Sequence, residues 1–216
     1  MKLYSYWRSS SSWRVRIALE LKGLAYEYVA VNLIADYDKA AFAKKNPMSQ
    51  VPVLEIDHDG RRAHLAQSLP IIEYLDERFA APALLPRDPL ERTQARQLAE
   101  IVNAGIQPLQ NHGVLVRVAE LTTPAQAREF AAHFIARGLD ALEAQAVHSA
   151  GRFLVGDNPT VADLFLAPQL YNARRFGLTP TDYPTLSRVE QECEKLEAFQ
   201  KAHPDRQPDF VPNAPP

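Results

Sequence analysis

Cysteine is all but missing from this chain: Cys193 is the only one, and a single thiol excludes an intramolecular disulfide and any thiolate-rich zinc site. It lies in Glu190-Gln191-Glu192-Cys193-Glu194, where three carboxylates would raise a thiol's pKa, so it reads as a bystander rather than a nucleophile. An excess of charge of one sign is missing too. The 24 basic and 26 acidic residues give a formal charge of −2 with no long block of either, which removes the electrostatic footprint of a nucleic-acid or anionic-membrane binder. No apolar run is long enough to cross a bilayer, and Lys2-Leu3-Tyr4-Ser5-Tyr6 begins at once as a strand. No signal peptide or transmembrane helix is therefore expected, and a cytoplasmic location is. The six histidines are scattered without the spacing of metal ligands, so no metal is expected. No internal repeat is evident.

What remains is enough for real cores, with 46% apolar and 9% aromatic residues over 216 positions, one large domain or two modest ones. Small-molecule chemistry is the default for such a composition. The alternation in residues 2–6 predicts a strand. Val15, Ala18 and Leu19 then predict an amphipathic helix from Trp13 to Lys22, with Gly23 as its stop. Tyr26 to Val31 alternates again, and the polar stretch through Lys45 predicts an irregular or short helical crossover. Val51 to Ile56, a turn over Asp57 to Gly60, and Ala63 to Ala66 form a hairpin pattern, and Ser68 to Phe79 is helical. That order predicts an α/β layer with a mixed, thioredoxin-like sheet over residues 1–80.

Pro82 and Pro86 among small residues mark a linker over 80–88, and no strand pattern follows it. Residues 89–216 predict an all-helical domain: a long helix from Pro89 to about Val118, a helix starting at Thr123-Pro124, another over Thr160 to Phe176, and a shorter pair after Pro184. Thr160-Val161-Ala162-Asp163 has the form of a capping box. Pro204 to Pro216, with five prolines, predicts an extended tail.

Arg8-Ser9-Ser10-Ser11-Ser12-Trp13-Arg14-Val15-Arg16 places four hydroxyls at the mouth of the first helix, where unpartnered N–H groups and the macrodipole favour an anion. A serine-rich N-cap accounts for the same run without any ligand. Two further elements should meet it at one edge of the sheet. Gln50-Val51-Pro52 enters a strand. A cis bond there would turn the backbone of Val51 outward, whereas a trans bond is an ordinary strand entry. Gln67-Ser68 begins a helix, and Ser68 is predicted as its N-cap. In Gly105-Ile106-Gln107-Pro108-Leu109-Gln110-Asn111 the proline should kink a long helix. Asn172-Ala173-Arg174-Arg175-Phe176 puts two cations at a helix C-terminus, a common dipole complement and equally a carboxylate clamp.

From Tyr4 to Leu19, and again in Gly105–Asn111, Asn172–Phe176, Leu196-Glu197-Ala198-Phe199-Gln200 and Arg206-Gln207-Pro208, the chain closely resembles the zeta class of glutathione transferases. The resemblance implies a thioredoxin-like domain followed by a helical domain, a homodimer, and glutathione as cofactor. It implies maleylacetoacetate isomerase activity in tyrosine and phenylalanine catabolism, with a small diketo acid as substrate. Maleylpyruvate isomerisation, conjugation or dehalogenation of small α-halo acids, and a catalytically silent binding module are the alternatives. Carried over residue by residue, it assigns Ser9, Ser10 and Ser11 to the glutathione thiol, Gln50, Val51 and a cis Pro52 to its backbone, and Gln67 and Ser68 to the γ-glutamyl carboxylate. Gln107 and Asn111 would reach glutathione, while Arg8 and Arg175 would bind the acidic substrate. The class commonly has cysteine where this chain has Ser11, so glutathione's own thiolate must carry the chemistry.

Overall fold

Leu3 and Ser5 are fully buried while Lys2 and Tyr4 are not, the period-two pattern of a strand, and β1 (Lys2–Ser5) is the strand around which the first unit is built. In the computed structural model, which describes residues 1–32 and 39–212, β1 pairs in parallel with β2 (Glu27–Ala30) and antiparallel with β3 (Val53–His58). β4 (Arg61–Ala66) completes the order β2-β1-β3-β4. The predicted hairpin closes on the two residues Asp59 and Gly60, with φ of +52° and +77°. That is the double positive φ that a tight hairpin matching the strand twist needs.

α1 (Ser10–Leu21) links the parallel pair and stops at Lys22 before Gly23, whose φ is +63°. The expectation of an amphipathic helix is corrected here. Every residue from Ser12 to Leu19 is buried, because α3 (Ser68–Arg78) and α9 (Glu197–Ala202) both pack against α1. Two guanidiniums, Arg14 and Arg16, are thereby taken fully out of solvent. Ile71, Ile72 and Leu75 of α3 join Leu3 and Leu54 in the core. Phe42 of α2 (Lys39–Ala43) forms a second cluster with Val31, Val51 and Val53. α2 is the short helix expected in the crossover; the part of that crossover at 33–38 lies outside the described residues.

The chain divides into two compact units, Met1–Ala83 with the segment beginning at Leu196, and Leu84–Lys195. The first cut falls within the expected linker. The C-terminal segment, however, belongs with the sheet and not with the helices. Arg16 Nε donates to the Ala202 carbonyl at 3.0 Å, and the Trp13 ring meets the His203 ring edge-on at 5.1 Å. The expected extended tail instead makes a short 3-10 turn at Pro204–Arg206, and Gln207 Nε2 donates back to the carbonyls of Lys201 and His203. Residues 213–216 of that tail lie outside the described residues.

The second unit is helical. α4 (Pro89–Glu100) is capped by Asp88, whose Oδ1 accepts from the N–H groups of Leu90 and Glu91. It runs on through a π-helical turn (Ile101–Ile106) and a 3-10 turn (Gln107–Gln110) before α5 (His112–Leu121). Pro108 thus interrupts the long predicted helix as its missing N–H requires. α6 (Pro124–Ser149) starts at the Thr123 cap and passes so near the π turn that a β-carbon at Gly138 would lie 2.2 Å from Ile106 Cγ1. α7 (Val161–Arg175) opens with the expected capping box, and α8 (Pro184–Glu194) starts on the carboxylate of Glu143, which accepts from the N–H groups of Thr185 and Leu186.

Candidate functional site

Register brings the first three elements together. Tyr4 of β1 stands opposite Val53 of β3, and Val53 opposite Ala66 of β4. The loop after β1, the approach to β3 and the exit from β4 therefore share one end of the sheet. With strands about 5 Å apart, Arg8–Ser11, Gln50–Pro52 and Gln67–Ser68 start from points within roughly 10 Å of one another. The Val51–Pro52 peptide is cis, as is Ala81–Pro82, which the sequence had not signalled.

Ser9 is the N-cap of α1: its Oγ accepts from the Ser12 N–H at 3.2 Å, and its carbonyl from the Trp13 N–H at 2.9 Å. That bond uses an oxygen lone pair, so the hydroxyl hydrogen is what Ser9 can offer a ligand. Ser10 and Ser11, at the first two positions of α1, are half-buried, and Ser12 is buried. The first turn of α1 contains no acidic residue, nor does that of α3. Two helix mouths at one sheet edge thus present positive dipole ends and backbone donors without a carboxylate of their own.

Ser68 was expected as the N-cap of α3, and the structure corrects this. Ser68 is the first helical residue and Gln67 is the cap, with φ of +72° and ψ of 126°. The Ser68 side chain is already occupied: its Oγ accepts from Nη1 of the buried Arg14 at 3.2 Å. Accepting from a guanidinium polarises the Ser68 O–H as a donor, so Arg14 places positive charge directly behind a hydroxyl at a helix mouth. Gln67 is exposed and carries a side chain where φ is positive, a conformation that costs a non-glycine residue about 1–3 kcal/mol. Gln67→Gly should therefore raise stability by about 1 kcal/mol, or about 2–4 °C in Tm for a chain of this size. Parallel thermal melts of the two proteins check this; an unchanged or lowered Tm would show that the backbone at this position carries no such cost.

Gln50 offers its carbonyl to Asn46 Nδ2 at 2.7 Å, which fixes the turn leading to Val51.

The helical unit holds the others. Gln107 opens the 3-10 turn, and Asn111 caps α5 through a bond from the Gly113 N–H to its Oδ1 at 3.1 Å. Gln110 and Gln169 exchange two buried amide bonds, 2.8 and 3.2 Å long, and so pin that turn to α7. The two arginines at the end of α7 separate clearly. Arg174 is exposed and doubly paired with the Glu190 carboxylate. Half-buried Arg175 donates through Nη1 to Asn172 Oδ1 at 2.8 Å. Of the pair, Arg174 is therefore committed to a structural ion pair.

Sequence reasoning missed the buried Arg14 and Arg16, and the half-buried Asp209, which accepts from the Trp7 N–H. The signal for the first two was a pair of cations inside an apolar helical run, Trp13 to Leu19. Cys193 is buried, and burial first, then the neighbouring Asp163, Glu190, Glu194 and Glu192 carboxylates, push its pKa up. Among the described residues no group of three or more His, Cys, Asp and Glu side chains is placed to hold a metal, and no helix is long and apolar enough to cross a membrane.

Residues 3–83 match the glutathione S-transferase N-terminal domain, and residues 124–192 the glutathione S-transferase C-terminal domain. The chain is 46% identical over 210 residues to maleylacetoacetate isomerase of Mus musculus, covering 96% of this chain and 94% of that one. It is similar to the crystal structure of maleylacetoacetate isomerase from Anaeromyxobacter dehalogenans 2CP-1, solved with GSH bound in its active site, at 58% identity, TM-score 0.91 and 97% coverage of each chain. It is also similar to the holo structure of a maleylpyruvate isomerase, a bacterial zeta-class glutathione S-transferase, at 41% identity and TM-score 0.90, covering 98% of this chain and 100% of that one. Both domains in their usual order, and likeness along nearly the whole length, make this chain a member of the glutathione transferase family, in its zeta class.

Proposed function

We propose that this enzyme is a glutathione-dependent cis–trans isomerase of maleylacetoacetate, acting in tyrosine and phenylalanine catabolism. One observation carries the reading: two helix mouths free of acidic side chains, one bearing the Ser9 hydroxyl and the other the Ser68 hydroxyl backed by Arg14, open at the same end of the sheet. Those donors suit a ligand with an anionic sulfur at one end and a carboxylate at the other, which is the chemistry of ionised glutathione. Bound there, glutathione supplies a thiolate that adds to the cis double bond, allows rotation about it, and leaves to restore the bond as trans.

The chain's own residues do the rest. Ser9 donates its hydroxyl hydrogen toward the sulfur, with Ser10, Ser11 and the first amides of α1 beside it. Ser68 and the backbone N–H of Leu69 receive the γ-glutamyl carboxylate, with Gln67 flanking them. Gln50 and the backbone of Val51, set by Pro52, align the peptide portion, and Gln107 and Asn111 are assigned to glutathione as well. Arg8 and Arg175 bind the diketo acid. Their charge counts for more once negative charge spreads over the conjugated oxygens than in the free substrate, which is the condition for lowering a barrier. A cytoplasmic homodimer completes the reading; light scattering should give twice the mass of the chain.

Incubation with maleylacetoacetate, with and without glutathione, tests it, with product drawn off by fumarylacetoacetate hydrolase. Turnover only in the presence of glutathione is expected. The likeness to a solved maleylpyruvate isomerase favours that shorter acid as the second reading. Turnover of maleylpyruvate alone in the parallel assay would establish it and overturn the first.

A further inference from the structure

The loop that delivers Arg8 and Ser9 is held at its root by a residue from the far end of the chain. The Trp7 backbone N–H donates to Asp209 Oδ2 at 3.0 Å, and the other oxygen, Oδ1, accepts from the Tyr28 hydroxyl at 2.6 Å. The Phe210 ring stands edge-on to the Trp7 ring at 5.0 Å. On the other side of the same residue, the Trp7 carbonyl accepts from Nη2 of buried Arg16 at 3.1 Å, and Arg16 Nε reaches the Ala202 carbonyl at the end of α9. The Ser9 N–H closes the loop on the Tyr6 carbonyl at 3.0 Å. A carboxylate acceptor makes a stronger bond to a backbone N–H than a neutral one, and Asp209 ties the loop after β1 to Tyr28 of β2 with it.

We infer that Asp209 is a positioning residue of the isomerase: by fixing the Trp7 peptide it sets where the Ser9 hydroxyl and the first amides of α1 stand relative to the glutathione sulfur. This rests on the assignment of Ser9 to that sulfur. A misplacement of well under an ångström weakens a hydrogen bond to a thiolate, and the ionisation of the bound thiol reports it.

The test has a built-in sign. Acting through space alone, the negative charge of Asp209 would disfavour a thiolate, and its removal would lower the pKa of bound glutathione; acting through position, its removal raises it. Glutathione is bound to the full chain and thiolate absorbance is followed against pH. For Asp209→Ala we expect the bound-thiol pKa to rise by about one unit, tenfold less thiolate at a given pH. The kcat should fall about tenfold in step, with KM for the diketo acid little changed. Asp209→Asn, whose amide oxygen still accepts from the Trp7 N–H, should recover most of both. The value is read on the bound complex, so partial unfolding reduces the amplitude and leaves the pKa. Should the alanine variant not fold, Asp209→Leu, close to aspartate in shape but without an acceptor, replaces it, with the same rise expected. An unchanged or lowered pKa in either would overturn the inference. Failure of the parent to bind glutathione at all would instead overturn the reading beneath it, and this inference with it.

Discussion

Asp163→Ala is expected to be the most destabilising substitution away from the site, with a loss of about 3–5 kcal/mol, the sum for three buried donors left without an acceptor at about 1–3 kcal/mol each, partly offset by relaxation. Asp163 is completely buried. Its Oδ1 accepts from the Leu154 N–H at 2.8 Å, while Oδ2 accepts from the Thr160 N–H at 2.7 Å and the Thr160 hydroxyl at 3.0 Å. One side chain thereby starts α7 and ties the loop before it to the helix. Urea unfolding measures the loss directly, and a change below about 1 kcal/mol, the value of a surface cap, would show that the box carries no more than local capping. The same group gives a pH signature. Burial outweighs its three donors and raises the carboxyl from the ordinary 3.8 to about 6. The folded state therefore binds this proton more tightly than the unfolded chain. Its contribution to stability is fully present below 3.8 and is lost as pH rises through about 6. Asp163→Asn cannot titrate, so its stability should fall less than the parent's across that window.

The capping box was legible because all its chemistry lies within four consecutive residues, and a hydroxyl with a carboxylate three places on has few other uses at a helix start. The hairpin at Asp59-Gly60 and the breaks at Gly23 and Pro108 were legible for the same reason: each is decided by the backbone freedom of one or two residues. What escaped was decided elsewhere in the chain. α1 looked amphipathic because Val15, Ala18 and Leu19 recur at helical spacing, which leaves the arginines between them to a wet face. Yet the Arg16 head group is met by carbonyls from Tyr6, Trp7 and Ala202, and burial lowers its pKa only to about 10, leaving it charged near neutrality. Nothing local to Asp209 announces a partner 202 residues away. A proline-rich segment gives no periodicity from which docking could be read, so the tail looked extended. At Gln67-Ser68 the dipeptide was identified but its roles were exchanged. Serine is the better cap by composition, and only the positive φ at Gln67 and the pull of Arg14 on Ser68 move the helix start by one residue.

At the reacting sulfur, Ser9→Ala is expected to cut turnover by about 10²–10³-fold, the scale seen when one preorganised donor to a developing or retained negative charge is removed. On the proposed reading the parent hydroxyl has two roles: its oxygen caps α1 by accepting from the Ser12 N–H, and its hydrogen is offered to the thiolate. Loss of the cap alone costs about 1 kcal/mol of stability and leaves a folded enzyme, so the two roles separate by substitution. Ser9→Thr keeps both and should retain most activity. Ser9→Asp keeps a good cap but sets a carboxylate beside the sulfur; its stability should match the parent while its turnover falls at least as far as the alanine variant's. Turnover at saturating glutathione, set beside thermal melts of the same proteins, reads both roles. Ser9→Ala turning over within about threefold of the parent, well short of the loss for an oxyanion-type donor, would pass the thiolate to Ser10, Ser11 or the α1 amides.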